Sequence, residues 1–182
     1  MADARRELGC GFLEVPQVRS RIWLAWTGAG LSRLSWTDAG ADQRAAFGAE
    51  VAEPGPVPEA YAEPLRAYLG GAPTDPALLP VDVIGTEFRL KVWNALRRIG
   101  RGQVRSYAGI ASDVGSPRAT RAVGAANGSN PVAIVIPCHR VVETGLGLGG
   151  YSSGLDRKRF LLELEGVKVV GDLVQPGQLA LI

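Results

Sequence analysis

The sequence predicts an α+β fold. A β-rich N-terminal domain with a few helices precedes a mostly helical C-terminal domain that carries a helix-turn-helix and a short active-site strand or loop. Three observations lead there. Before residue 40, short runs of β-branched, aromatic and leucine residues are separated by glycine. After residue 86, apolar residues recur at helical spacing between capping hydroxyls and stopping glycines. Between Pro131 and Pro137 lies an apolar run that reads as a buried strand. The expected division is 1–80 and 81–182, within a chain of 182 residues that is 46% hydrophobic and long enough to bury a core.

Taken in order, Gly11–Val15, Arg21–Trp26 and Leu31–Trp36 read as strands, with Gly28-Ala29-Gly30 as a hairpin turn. Residues 41–51 suit a short helix, and the proline-rich stretch 53–58 a loop. Glu59–Leu69 reads as a helix ending at Gly70-Gly71, and residues 71–80 as a linker. Thr86 can cap a helix over 87–98, with Phe88, Val92, Leu96 and Ile99 on one face. Ser106 can cap a second helix ending near Gly115. Ser116-Pro117 reads as the start of a third helix, running to Asn127 and stopped by Gly128. The second and third helices make the helix-turn-helix candidate. Gly145–Gly154 is a glycine-rich loop and Leu155–Glu165 a last helix. The apolar positions after residue 166 are expected to pack on the domain surface.

Composition excludes several classes. No run of 18 apolar residues occurs, and Met1–Glu7 mixes both charge signs, so neither a membrane span nor a secretory signal is expected and a cytoplasmic setting is. Two cysteines make no disulfide framework, and a single histidine leaves no evident zinc site, so no metal is expected. The net charge of +2 hides an asymmetry. From Arg89 to Arg140 there are nine Arg or Lys against one acid, Asp113. That excess suits a polyanion such as nucleic acid, although a solvated basic surface has the same look.

The most informative segment is Ile136-Pro137-Cys138-His139-Arg140. A free thiol is only about 3% thiolate at pH 7, so a reactive Cys138 needs a base or a cation, and His139 and Arg140 are both at hand. Adjacent residues on a strand point to opposite faces, so either the backbone bends here or His139 reaches the thiol through a water. A buried, inert cysteine remains the bland alternative. On the third helix, Arg118, Arg121, Ala122 and Ala125 share one face, and Ala119, Val123 and Ala126 another. A face of arginine and alanine can come close to a sugar–phosphate wall.

Residues 81–166 resemble the DNA-binding and catalytic domain of the O6-alkylguanine-DNA alkyltransferases, also called methylated-DNA–protein-cysteine methyltransferases. The matching pieces are Ser106-Tyr107, Arg121-Ala122-Val123-Gly124, Ser129-Asn130-Pro131, Ile136–Val142, Gly150-Tyr151-Ser152 and Glu165-Gly166, in the family's order and spacing. Residues 1–80 resemble the family's variable N-terminal domain, a ribonuclease-H-like structural unit, only loosely. The resemblance implies single-turnover transfer of an alkyl group from O6-alkylguanine to Cys138, with no cofactor, because the protein is itself the acceptor. It further implies His139 as a base acting through a water and Glu165 as the group that holds its imidazole. Tyr107 would donate a proton to the departing base, and Asn130 would tie the recognition helix to the reactive loop. Arg121 would fill the gap left by a flipped nucleotide. Arg118, Ala122, Ala125 and Ala126 would complete a weakly sequence-specific minor-groove surface.

Pocket positions implied in the same way are Val141, Tyr151, Ser152, Ser153 and Lys158. The carbonyls of Cys138 and Val141 would read the guanine amine, and the Ser152 N–H would face O6. The implied partner is double-stranded DNA bearing alkylated bases, with no membrane partner and the protein a monomer; cooperative binding, the preferred alkyl group and O4-alkylthymine are left open. The chain departs from the family pattern where Ser152 and Ser153 replace an arginine and a tryptophan of many bacterial members, and where Ala133 replaces a proline. Both changes remove bulk and predict a roomier pocket. The competing readings are a non-enzymatic lesion-binding relative, which would lack Cys138, a Cys-His hydrolase, which the adjacency of Cys138 and His139 disfavours, and a transcriptional regulator, for which no dimerisation element is evident.

Overall fold

Three antiparallel strands, β1 (Gly9–Val15), β2 (Ser20–Thr27) and β3 (Gly30–Thr37), form the N-terminal sheet in the order β1-β2-β3. The computed structural model describes residues 9–37 and 53–175; the helix expected over 41–51 lies outside them. The chain divides into two compact units, residues 1–83 with 131–135, and residues 84–130 with 136–182.

In the first unit, period-two alternation gives the sheet two apolar faces. Cys10 pairs with Ala25 and Phe12 with Trp23 on one face; Leu13 pairs with Ile22, and Leu24 with Leu34, on the other. The two-residue turn Gly28-Ala29 is closed by Ala29 N donating to Thr27 Oγ1. The outer edge of β3 is covered twice, because Leu31 bridges Val81 and Leu34 bridges Val132, both in parallel sense. Gly30 permits this approach, since a Cβ there would meet the Pro80 backbone at 2.7 Å. Helix α1 (Glu59–Leu69) buries Ala62, Leu65, Tyr68 and Leu69. The stretch read as a linker holds a single 3-10 turn, Pro76–Leu78, capped by Asp75.

In the second unit, α2 (Glu87–Leu96) is capped by Thr86 Oγ1, which accepts from Arg89 N. Two-residue strands β4 (Arg105–Ser106) and β5 (Val141–Val142) pair in parallel. Ser106 Oγ accepts from Gly109 N and starts α3 (Tyr107–Asp113). Gly115, at φ +72°, turns the chain towards α4 (Thr120–Gly128). Trp93 Nε1 donates to Ala126 O and joins α2 to α4. Helix α5 (Leu155–Leu164) and a hairpin of β6 (Val169–Val170) and β7 (Leu173–Val174) complete the unit. Among the described residues no helix is long and apolar enough to cross a membrane.

Three sequence expectations are corrected. Ser116-Pro117 does not open a helix: Ser116 O accepts from Ala119 N, so 116–119 form a turn with proline at its second position, and α4 begins at Thr120. Arg118 therefore sits in a turn and shares no helical face with Arg121. Residues 131–137 are not a strand. Val132 makes one bridge, and the chain then folds on itself, with Ile134 at φ +71° and Val135 N bonded to Ala133 O. Positive φ in a β-branched residue is strained by about 1–3 kcal/mol. Residues 167–174 are part of the core as well as its surface, because Val167 and Val174 pack with Val104, Val142, Leu148 and Leu162.

Candidate active site

The chain bends sharply into Cys138. Pro137, at φ −80° and ψ 65°, is the centre of an inverse γ-turn closed by Cys138 N donating to Ile136 O at 2.7 Å. A single 3-10 turn, Cys138–Arg140, follows. Cys138 and His139 are thus not strand neighbours on opposite faces; of the two possibilities left by the sequence, the backbone bend is present.

Cys138 is 3% exposed. Asn130 Nδ2 donates to Sγ at 3.0 Å and to Ile136 O at 2.7 Å, so one amide sets both the sulfur and the turn behind it. Burial pushes the thiol above its ordinary pKa, against the Asn130 hydrogen bond and the Lys158 charge, which favour the thiolate. The sulfur is held protonated at rest and needs its proton removed at the moment of reaction.

His139 is fully buried, with Nε2 3.0 Å from Glu165 Oε1. Burial lowers the imidazole's pKa more than Glu165 raises it, so the ring is neutral at pH 7. In that state Nε2 donates to the carboxylate, and Nδ1 carries the lone pair that can take a proton. Glu165 itself is held far below the usual carboxylate range: burial alone would raise it, but His139 and Arg140 together outweigh burial. Arg140, also fully buried, donates to both carboxylate oxygens and, from Nη1, to Ile99 O at 2.6 Å. Its charge is committed to Glu165, which corrects the expectation that it serves as a cation for the thiol.

That cation is instead Lys158. Its buried Nζ donates to the carbonyls of Val141, Leu148 and Gly150, and burial brings its pKa down to about 8 against the pull of Cys138 and Glu143. The Val141 carbonyl, assigned by resemblance to base reading, therefore already accepts a hydrogen bond, and Val141 itself is fully buried.

A cavity of ≈ 330 Å3 opens beside the sulfur. Cys138 and Tyr107 line it together with Gly124, Asn127 and Gly128 of α4 and the segment Gly150–Ser152. The Tyr107 hydroxyl lies 3.5 Å from Gly150 O, and the Asn127 side chain lines the same cavity. Burial, Cys138 and Glu143 raise its pKa, so it stays a proton donor. Asn127, 5% exposed and with Nδ2 3.5 Å from Cys138 O, is a site residue that the sequence reading missed. Its position four residues after the buried Val123 would have pointed it inward. Tyr151 and Ser152 line the cavity; Ser153 does not, its carbonyl accepting from Arg157. Ala133 is absent from the lining too, and its N–H donates to Leu34 O, a bond proline could not make. Of the three substituted positions, only Ser152 enlarges the cavity.

The outward face of α4 carries Arg121, Ala122 and Ala125, all exposed, and Arg118 is exposed in the turn before it. Ala126 is 2% exposed and faces the core, which corrects its assignment to a DNA-facing surface: three residues after the buried Val123 and next to the buried Asn127, it falls on the inner side of the helix.

A family model described as "6-O-methylguanine DNA methyltransferase, DNA binding domain" matches residues 87–167. The methylated-DNA–protein-cysteine methyltransferase of Methanosarcina acetivorans is 52% identical over 104 residues, which are 56% of this chain and 65% of that protein. The aligned stretch thus spans slightly less than two thirds of that relative. A crystal structure of Mycobacterium tuberculosis OGT in complex with DNA superposes with a TM-score of 0.74 at 38% identity, covering 86% of this chain and 92% of that one. The O6-methylguanine-DNA methyltransferase of Pyrococcus kodakaraensis superposes with a TM-score of 0.65 at 29% identity, covering 88% and 99%.

Proposed function

This chain belongs to the O6-methylguanine-DNA methyltransferase family, and we propose that it repairs DNA by moving an alkyl group from guanine O6 irreversibly onto Cys138. The observation that carries the reading is the position of Cys138 on the wall of a cavity shared with the second helix of a helix-turn-helix. A nucleotide inside a duplex is out of reach of a buried sulfur, so the base is flipped into that cavity. Exposed Arg121 fills the space it leaves, and Arg118, Ala122 and Ala125 lie along the minor groove. Neutral His139, oriented by Glu165, takes the thiol proton through a water. Sγ then attacks the alkyl carbon. The S–C bond forms as the C–O6 bond breaks, the bonding pair leaves with the guanine, and Tyr107 supplies the proton that restores the neutral base. Lys158 stabilises the transient thiolate. The thioether is stable, so each chain reacts once, and no cofactor takes part.

One chain holds nucleophile, base and recognition helix, which supports a monomer as the working unit. Residues 1–80 act as a ribonuclease-H-like supporting domain, and a cytoplasmic setting keeps the thiol reduced. The test is a duplex whose O6-methylguanine carries a labelled methyl. Label on the protein and restored guanine are expected; label released to solution identifies a hydrolase and contradicts the reading. Arg121→Ala is expected to slow repair of the duplex by about 10- to 100-fold, because unstacking costs a few kcal/mol. Reaction with the free alkylated base should stay within about twofold of native. Equal losses on both substrates would deny Arg121 a role in flipping.

A further inference from the structure

The loop from Glu143 to Gly150 supplies two of the carbonyls that hold Lys158 and leads directly into the cavity wall at Tyr151 and Ser152. It contains four glycines, and Leu146 (φ +66°) and Gly149 (φ +64°) both lie in the left-handed region. Leu146 N donates to Glu143 O and Glu143 N to Gly147 O, so 143–147 closes on itself. Beyond that turn, the C-terminal hairpin supplies the backbone partners of 146–148. Leu148 N donates to Asp172 O, and Val174 N donates to Leu146 O, both at 2.9 Å, so Gly147 and Leu173 face each other as an antiparallel pair. Val174 and Leu148, each 1% exposed, pack in one apolar cluster with Val167. The family match ends at residue 167, so β6 and β7 lie beyond it.

We infer that the hairpin Val169–Val174 is a strap that adds a strand to the 146–148 loop and thereby positions the Lys158 cradle and the cavity wall for alkyl transfer. The inference rests on the alkyl-transfer reading for its kinetic consequence, not for its structural one. The strap acts through the loop and touches no reacting atom.

Val174→Pro removes the N–H that bonds Leu146 O, and Val174→Ala serves as the control for lost packing. Gly171→Val strains the exposed hairpin turn at φ +58° without touching the core, and replaces Val174→Pro should that variant not fold. The strap predicts faster hydrogen exchange at the Leu148 amide in Val174→Pro or Gly171→Val. It also predicts transfer from O6-benzylguanine about tenfold slower than in native protein and Val174→Ala. Gly147 and Leu173 are a non-hydrogen-bonded pair, the geometry in which Cα atoms come closest, so Gly147→Cys with Leu173→Cys can bridge them. Oxidation of that pair in the slowed variant, verified by mass to leave Cys138 free, should restore the rate to within about threefold of native, and reduction should abolish the rescue. Equal rates in the strap variants and Val174→Ala, or a bridge that rescues nothing, would overturn the proposal. If native protein transfers no alkyl group, the alkyl-transfer reading fails by itself. Leu148 exchange then decides the strap: acceleration reversed by the bridge supports it, and unchanged exchange refutes it.

Discussion

Cys138→Ala is expected to abolish alkyl transfer completely while leaving affinity for a lesion-bearing duplex within about threefold of native. Among the described residues the sulfur is the one thiol on the cavity wall, and the hydroxyls of Tyr107, Tyr151 and Ser152 beside it are far weaker nucleophiles. Asn130 and Lys158 favour the thiolate, and His139 is neutral and so able to take a proton. None of them has an acceptor role for an alkyl group once the sulfur is gone. Cys138→Ser is expected to be equally inert, because a hydroxyl is a far weaker acid than a thiol and the buried setting that raises Cys138 would raise it too. Cys10 offers no substitute: it lies 1% exposed in β1, packed with Trp23 and Ala25. Scintillation counting of labelled methyl on the protein reads the first effect, and a binding titration at fixed salt the second. Residual transfer by Cys138→Ala would place the acceptor elsewhere.

Glu165→Leu is expected to destabilise the protein by about 3–5 kcal/mol, because it leaves the Arg140 guanidinium fully buried without its counter-charge. Transfer should fall by about 100-fold or more in whatever fraction stays folded, since His139 loses the group that fixes its tautomer. The Arg140→Met and Glu165→Leu double variant is expected to recover most of the stability but none of the rate, which separates the two roles. Urea unfolding and single-turnover kinetics on the same preparations give both numbers. The pair also sets the response to acid. His139 is held neutral, below its ordinary value of 6.5, so as pH falls through 6.5 the unfolded chain binds a proton that the folded chain does not, and stability declines. Glu165 is depressed below 4.5, so its contribution is complete above 4.5 and is lost as pH falls towards the folded value. The Glu165→Leu variant should lack the second decline. An unchanged acid limb would show that the carboxylate contributes nothing to stability.

The sequence is informative where one residue type has one physical use. Thr86 and Ser106 stand before apolar-periodic runs and do cap α2 and α3. The period-two runs around Trp23 and Leu34 pair as strands, and Gly70 ends α1. It misleads where one pattern serves two geometries. Ser116-Pro117 is a helix start and equally the first half of a β-turn, and the Ser116–Ala119 hydrogen bond decides for the turn. Residues 131–137 are apolar because Val132, Ile134, Val135 and Ile136 are all fully buried, and burial alone carries no period. In the site, Cys138 and His139 could be named because their chemistry is distinctive, whereas Glu165, a carboxylate at a helix end, is marked only by the family resemblance. Arg140 and Asn127 could not be placed, because what recruits them is another buried group, the Glu165 carboxylate for one and the Cys138 carbonyl for the other. The hairpin is not legible in the sequence, because its strands are two residues long and its pairing with the 146–148 loop has no local signature.

On the proposed reading, one sulfur accepts one alkyl group and is consumed. Peptide mass mapping of the native chain after exposure to excess O6-methylguanine duplex tests it most directly. One methyl per molecule is expected, carried on the peptide that contains Cys138, with repair halting once that equivalent is reached. A methyl on any other residue, or repair of several lesions per molecule, would contradict it.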